Sequence, residues 1–485
     1  MSDQTRTLDP ALMAVIANRL DAVLREMTNT LLRAGRSAVL STARDFSCSL
    51  VTADNRLLAT AEGLPVHIFG SQLQTTAMSE LHDDIAPGDA FLHNDPYSGN
   101  THAADHTILV PIFAGGKHMF TAVAKAHQAD IGNSFPTTYM AMAKDVYEEG
   151  ALIFPATRIQ KGYRDVDDII RMCRLRIRVP DQWYGDYLAC LGAARIGERR
   201  MTQLVDKYGA ELIVAFIEEW FDYSERRIDH TLRNLPSGRY EARNAHDPLP
   251  GLCDDEIPIK VVVEVYATEG RVEIDLRDNP DCVDAGINLS RATSVNSAVT
   301  GLFNALDPDL PHNHGTFRRI TVHIRENCIA GYPVHPRSCS MSTTNVADRV
   351  VNASQSALSQ VAAVGLAEGG ASMGAAYAVI AGEDPRRDNE PFVNQIVAGA
   401  NGGPASALSD GWLTYALPVT GGLILRDSVE VDEQKYPIAF EGLELVTDSG
   451  GPGRFRGGAS IRVAYSPRFA PMTVAIMADS CQNPA

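Results

Sequence analysis

No two cysteines in this 485-residue chain are spaced C-x-x-C, and no apolar run is long enough to span a bilayer. The eight cysteines are scattered, which argues against a zinc ribbon or a thioredoxin-type site and reads as reduced, mostly buried thiols. Basic residues are also in deficit, 43 Lys and Arg against 60 Asp and Glu, for a formal charge of −17. Nucleic acid and anionic membrane both demand a basic footprint, so neither is expected as the main partner. The opening "MSDQTRTLDP" has no apolar core of signal-peptide type, and a cytoplasmic location is expected. A phosphate loop of the form G-x-x-x-x-G-K-[ST] is missing as well. The glycine-rich "SGGPGRFRGG" lacks its lysine and its strand-to-helix setting, and reads as a structural turn segment.

What is present begins with a helix. Asp9 and Pro10 have the character of an N-cap and a first helical residue. Apolar positions follow at Leu12, Val15, Ile16, Leu20, Val23, Leu24, Met27 and Leu31, with Gly35 as the stop. The stretch "RDFSCSLVTADNRLLAT" changes to period two and predicts strand, turn at 53–55, strand. "HTILVPIFAGGKHMFTAVAKAH" predicts a hairpin about Gly115-Gly116. A helical middle starts with Val166, Ile169 and Ile170 and continues from 199 as two helices broken near Gly209. A second hairpin is predicted through Glu269-Gly270, then a strand in "RRITVHIRE", a helix over 346–368 and short strands in a glycine-rich tail from 390. Strands and helices come in blocks without βαβ alternation, so the expected class is α+β, a mixed multi-layer fold whose β-hairpins carry the site. We divide it at 240, into residues 1–240 and 241–485.

The residues that carry chemistry sit at the ends of the first hairpin. "THAADH" places His102, Asp105 and His106 before one strand, and "KAHQAD" places His127 and Asp130 after the other. With a two-residue turn and an unbroken ladder, His127 lies across from Ala104. His102, Ala104 and His106 then share a face with Lys125 and His127, and Asp105 points away unless the strand is irregular at its start. The distant histidines are brought together either way. Two imidazoles with one or two carboxylates suit a divalent transition metal. They are equally the residues that gather in surface loops, where a histidine simply bonds a backbone carbonyl. Asp45 is the attractive further carboxylate, or else an arginine-paired structural one beside Arg44.

"RDFSCSL", "LPVHIFGS", "GDAFLHNDPYSGNTHAAD", "KAHQADIG", "YEEGALIFP" and "DSGGPGRFRGG" together resemble the hydantoinase B/5-oxoprolinase B family, in order and over essentially the whole chain. The resemblance implies a metal-bearing B subunit that works with a hydantoinase A-type ATPase subunit, which binds ATP with magnesium and phosphorylates the substrate oxygen. It implies ATP-driven opening of a hydantoin, lactam or oxoproline-like ring or, in the acetone and acetophenone carboxylase branch, ATP-driven carboxylation of a ketone. A non-catalytic scaffold for the ATPase is the third reading. The family's ligand positions fall on Asp45, His102, Asp105 and His127, for zinc, manganese or iron(II). His127, Asp130 and His67 form the expected catalytic set, with Asp130 orienting an imidazole and His67 touching substrate or supporting the ligands. Many relatives carry a second histidine where this chain has Gln128, so that histidine's role is expected to be lost here or shared with His106. Asp95 is a further candidate for substrate contact or ligand support, or else a turn-forming aspartate, and Glu148, Glu149 and Cys339 are read as structural. Relatives run beyond "DSCQNPA", so a truncated chain is one expectation.

Overall fold

A computed structural model describes residues 8–61, 63–361, 377–413, 415, 417–476 and 478–484. The first helix runs Pro10–Ala34, with the Asp9 carboxylate accepting from the Ala11 N–H and Gly35 closing the end. Its buried stripe is Ile16, Leu20, Val23, Leu24, Met27 and Leu31, whereas Val15 faces solvent.

Seven strands form the main sheet: β1 (Phe46–Thr52), β2 (Leu57–Thr60), β3 (Ala90–His93), β4 (Asp105–Ala114), β5 (Lys117–His127), β6 (Thr157–Lys161) and β7 (Arg164–Asp165). Their spatial order is β2-β1-β5-β4-β3-β6-β7, antiparallel throughout. Both faces are covered. The first helix and the helix Pro180–Tyr208 pack on one side, and the helices Pro65–Ile68, Ser71–Leu81 and Arg291–Phe303 on the other. Hence all seven residues of β1 are buried, and the period-two pattern expected there does not separate an inner from an outer face.

The predicted hairpin is present, with positive φ at both Gly115 and Gly116 as a tight turn between twisted strands requires. The register departs from expectation. Ala114 pairs with Lys117 and Phe113 with His118, but Ile112 pairs with Phe120. Met119 has no partner on β4; it bulges, and its carbonyl accepts from the Ala53 N–H at 2.9 Å instead. From there to the open end the ladder is shifted by one residue. Asp105, not Ala104, stands opposite His127, and His106 goes to the other face.

The helical middle is longer than its sequence pattern suggests. Asp167–Arg176 and Ala210–Arg233 are helical, and Gly209 (φ +83) breaks the long pair, but the first long helix begins at Pro180 rather than near 199. Gly185, Gly192 and Gly197 interrupt its pattern, and at 197 the glycine is needed, because a Cβ would lie 2.8 Å from Met27 Sδ and 2.9 Å from Ala122 Cβ.

A second sheet joins β8 (Gly238–His246), β9 (Ile257–Tyr266), β10 (Arg271–Asp275) and β11 (Ile320–His323), with the β10–β11 pair parallel. The helix Val346–Ser359 packs on it, and positions 362–368 of the expected helix lie outside the described residues. The tail supplies β12 (Tyr377–Asp384), β13 (Glu390–Val397), β14 (Ile438–Leu445), β15 (Ile461–Pro467) and β16 (Thr473–Ile476). They form a β13-β12-β16 sheet and a β14–β15 hairpin. One apolar cluster includes Ala43, Leu64, Val66 and Tyr139 together with the second sheet, so the core is continuous across residue 240. All eight cysteines are free, six of them buried, with Cys253 half-buried and Cys481 exposed. Among the described residues no helix is long and apolar enough to cross a membrane.

Candidate metal centre

The bulge decides which side chains meet. With Asp105 opposite His127, both project from the face of the main sheet turned toward the 338–344 segment. Asp105 Oδ1 lies 3.0 Å from His102 Nε2 and 3.2 Å from His127 Nδ1. One donor atom from each of His102, Asp105 and His127 falls within 4.8 Å of the other two, and all three side chains are buried.

Neighbours orient both rings. His102 Nδ1–H donates to the Ser340 carbonyl at 2.7 Å, which leaves Nε2 turned toward Asp105. His127 Nε2 meets Thr138 Oγ1 at 3.1 Å, and its ring stacks on Tyr139 at 5.0 Å between centroids. A ring nitrogen held this way by its opposite nitrogen is the arrangement in which imidazole ligates metals. Thr101 Oγ1 hydrogen-bonds the second Asp105 oxygen, and Thr343 Oγ1 lies 3.5 Å from His102 Nε2. Two nitrogen lone pairs directed at one carboxylate oxygen repel unless positive charge lies between them. Protons or a divalent cation satisfy that condition, and the two-nitrogen, one-oxygen donor set fits a transition metal with positions left open.

Asp45 and His67 form the adjoining part. His67 Nε2 lies 3.5 Å from Asp45 Oδ1 and 3.3 Å from Asp105 Oδ2, bridging the two carboxylates. Asp45 reaches the three through that ring, while its own carbonyl accepts from the His127 N–H at 3.1 Å. Burial drives the Asp45 carboxyl upward, and Asp105 adds to this against the nearby histidines. Burial opposes ionisation of Asp105 too, but the His102 and His67 rings and its hydrogen bonds outweigh it and hold that carboxyl well below the usual range. His102 moves upward, because Asp105 and the hydrogen bonds overcome the burial that disfavours its cation. Beside this cluster a narrow cavity is lined by Asp45, His67, His127, Tyr139, Thr343 and Gln395 among others.

Other expected participants lie elsewhere. Asp130 orients no imidazole: its carboxylate accepts from Arg178 N at 2.6 Å, Arg178 Nη1 at 2.9 Å and Gly132 N at 3.2 Å. His106 does not share Gln128's position near the cluster. It sits behind the sheet, accepting from Trp183 Nε1 at 3.3 Å, and burial depresses it to about 3. Gln128 turns its amide to the Ala126 carbonyl at 3.2 Å. Asp95 caps a short turn through the Tyr97 N–H. Glu148 is exposed and pairs with Lys144, whereas Glu149 is buried and accepts from Ser338 Oγ at 3.0 Å, bracing the loop that receives His102. Burial pushes the Cys339 thiol up, which disfavours its thiolate. The contributors unseen in sequence are Thr138, Ser340 and Thr343. The hydroxyl-rich "SCSMSTT" is the visible sign of Ser340 and Thr343, and nothing local ties it to residue 102.

The family model described as Hydantoinase B/oxoprolinase matches residues 9–485. The caprolactamase subunit beta of Pseudomonas jessenii is 32% identical over 99% of this chain and 81% of its own length. The crystal structure of ATP-dependent caprolactamase from the same organism superposes with a TM-score of 0.86 at 28% identity, covering 95% of this chain and 79% of that one. Nucleotide-free acetone carboxylase superposes with a TM-score of 0.88 at 17% identity over 100% of this chain and 65% of that one, a likeness of fold.

Proposed function

Because the chain belongs to the hydantoinase B/oxoprolinase family, we propose that it is the metal-bearing subunit of an ATP-dependent cyclic-amide hydrolase. Its substrate is a lactam, hydantoin or oxoproline-like ring, and its partner is a separate ATPase subunit that holds ATP and magnesium. The observation that carries the reading is the convergence of His102, Asp105 and His127 on one buried point. The relative named caprolactamase subunit beta supports the subunit role and the substrate class. The missing phosphate-loop motif supports a division of labour in which another chain binds nucleotide.

His102 Nε2, Asp105 Oδ1 and His127 Nδ1 would hold the ion, with Asp45 as the fourth ligand and zinc, manganese or iron(II) as its identity. When bound, such an ion supplies Lewis acidity and lowers the pKa of water. His67, reaching both carboxylates and lining the cavity, keeps the two like charges apart and faces the substrate. Tyr139 and Thr138 hold the His127 ring in place, and Thr343 lies against His102.

The test is elemental analysis of the purified chain, then ATP-dependent turnover with the co-purified ATPase against lactams, imides and ketones. Ring opening that needs ATP, the partner and stoichiometric metal is expected. Substantial turnover by the isolated chain without ATP would overturn the two-subunit reading. Bicarbonate-dependent consumption of a ketone would assign the carboxylase reaction instead. Full activity and unchanged metal in His127→Ala would leave only a scaffold.

A further inference from the structure

A groove of about 400 Å³ opens beside the metal centre, lined by Arg25, Arg44, Phe46, Leu64, Leu423 and Leu425 among others. Two chain segments, 44–46 and 423–425, separate it from the inner cavity. In the first, Arg44 and Phe46 line the groove while Asp45 lines the cavity; in the second, Leu423 and Leu425 line the groove while Ile424 lines the cavity. The Leu425 N–H donates to the Ala43 carbonyl at 2.9 Å and ties the two segments together. Leu64 lines both spaces. The partition is therefore formed by these two tied segments and by Leu64.

The described lining of the groove differs in charge from the chain as a whole. The chain as a whole carries −17, yet the described lining includes two arginines and no acidic side chain. Arg25 is engaged with Asp21 at 3.0 Å. Arg44 is exposed, and among the described residues its guanidinium has neither ion pair nor hydrogen bond. Its backbone holds φ at +60°, a conformation that L-residues other than asparagine and aspartate seldom adopt and that clusters at working sites. The turn is fixed on both sides, by Asp45 N–H to the Val39 carbonyl at 3.0 Å and Phe46 N–H to the Arg44 carbonyl at 2.9 Å. It sends Asp45 inward and the adjacent guanidinium to the groove. Phe46 and the leucines offer apolar surface to a ring, Thr28 and Asn29 add neutral polar groups, and the free guanidinium of Arg44 selects an anionic group on that ring.

We propose that this groove is the substrate port of the metal centre and that Arg44 captures the anionic group of an apolar cyclic substrate. The word port rests on the metal-centre reading; the anion selectivity of the groove does not.

The experiment uses the full chain, loaded with Mn(II) or left metal-free, and three probes: phenyl phosphate, benzoate and the neutral benzamide. Saturation-transfer NMR reads their affinities for wild type, Arg44→Gln and Arg44→Gly; the glycine variant accepts the positive φ and so guards against misfolding. At least one anionic probe is expected to bind roughly tenfold or more tighter than benzamide, with that preference lost in both variants. Binding of phenyl phosphate alone marks a phosphorylated substrate, and equal binding of benzoate a carboxylate. Equal affinity for anionic and neutral probes, or unchanged binding in both variants, overturns the selectivity. In Mn(II)-loaded protein the bound probe's ring protons should relax faster, and retained Mn(II) without that enhancement overturns the port. If the chain retains no metal, the metal-centre reading falls, while the Arg44 dependence still decides the groove.

Discussion

Asp105 and His127 face each other across the β4–β5 hairpin, with Oδ1 and Nδ1 3.2 Å apart, because Met119 is left unpaired near the turn. One bulged residue turns over every side chain of β4 relative to β5 from there to the open end. The same shift that brings Asp105 to the cluster takes His106 away from it. The candidate centre is a consequence of register as much as of residue type.

Asp105 is the atom pair's common partner, so its charge should govern metal retention. Asp105→Asn keeps the size and removes one anionic ligand. Metal affinity should fall by at least about 10- to 100-fold, the loss typical of disturbing a metal site's supporting groups. Competition with a chromogenic chelator measures it, and retention of wild-type affinity would place the ion elsewhere. Circular dichroism should show the fold intact.

His106 supplies the opposite case. Its replacement by phenylalanine leaves the Trp183 N–H buried without its acceptor, which should cost about 1–3 kcal/mol in denaturant unfolding. Metal stoichiometry should stay at the wild-type value, because the residue lies behind the sheet. A parallel loss of metal would mean that the two faces are coupled.

Asp105 and His106 also show how far the sequence could be read. The α+β class, the first helix with its caps, the hairpin turn and the break at Gly209 follow from local signals, each written within a few neighbouring residues. The meeting of His102 with His127 was legible too, since a hairpin must close. Which face Asp105 would take was not. A bulge at Met119 depends on β5 pairing with β1 and on Ala53 claiming the Met119 carbonyl, both long-range facts. The hold of Ser340 on His102 joins residues 238 apart and leaves no local trace.

Gly197 hid a helix from its own sequence pattern, and it makes a packing prediction. A methyl group at 197 would press on Met27 Sδ, which can swing aside, and on Ala122 Cβ, which cannot, being fixed on a central strand. Gly197→Ala should destabilise by about 1–3 kcal/mol despite the better helix propensity of alanine. Shortening Met27 to alanine in the same chain should fail to restore stability, since the rigid contact remains. Chemical denaturation of the single and double variants decides the point.

Asp348 predicts how stability responds to pH. It lies fully buried in the helix Val346–Ser359, where Oδ1 accepts the Val419 N–H at 2.9 Å and Oδ2 has no partner among the described residues. Burial is the chief cause that raises its carboxyl from 3.8 to about 8, the Val419 bond and Arg349 working the other way. A carboxyl whose folded value lies above its unfolded one binds more protons in the native state. Its contribution is therefore complete below 3.8 and is lost as pH rises through about 8. Wild type should melt at progressively lower temperature as pH rises from 3.8 to about 8, with this contribution levelling off above that. Asp348→Asn keeps an oxygen for Val419 and cannot ionise, so its melting temperature should fall less over the same range. Asp432, also raised to about 8 by burial, leaves a residual slope in that variant, and Asp432→Asn in the same background should flatten it further. Identical slopes in wild type and Asp348→Asn would show that Asp348 is ionised in the folded protein at neutral pH.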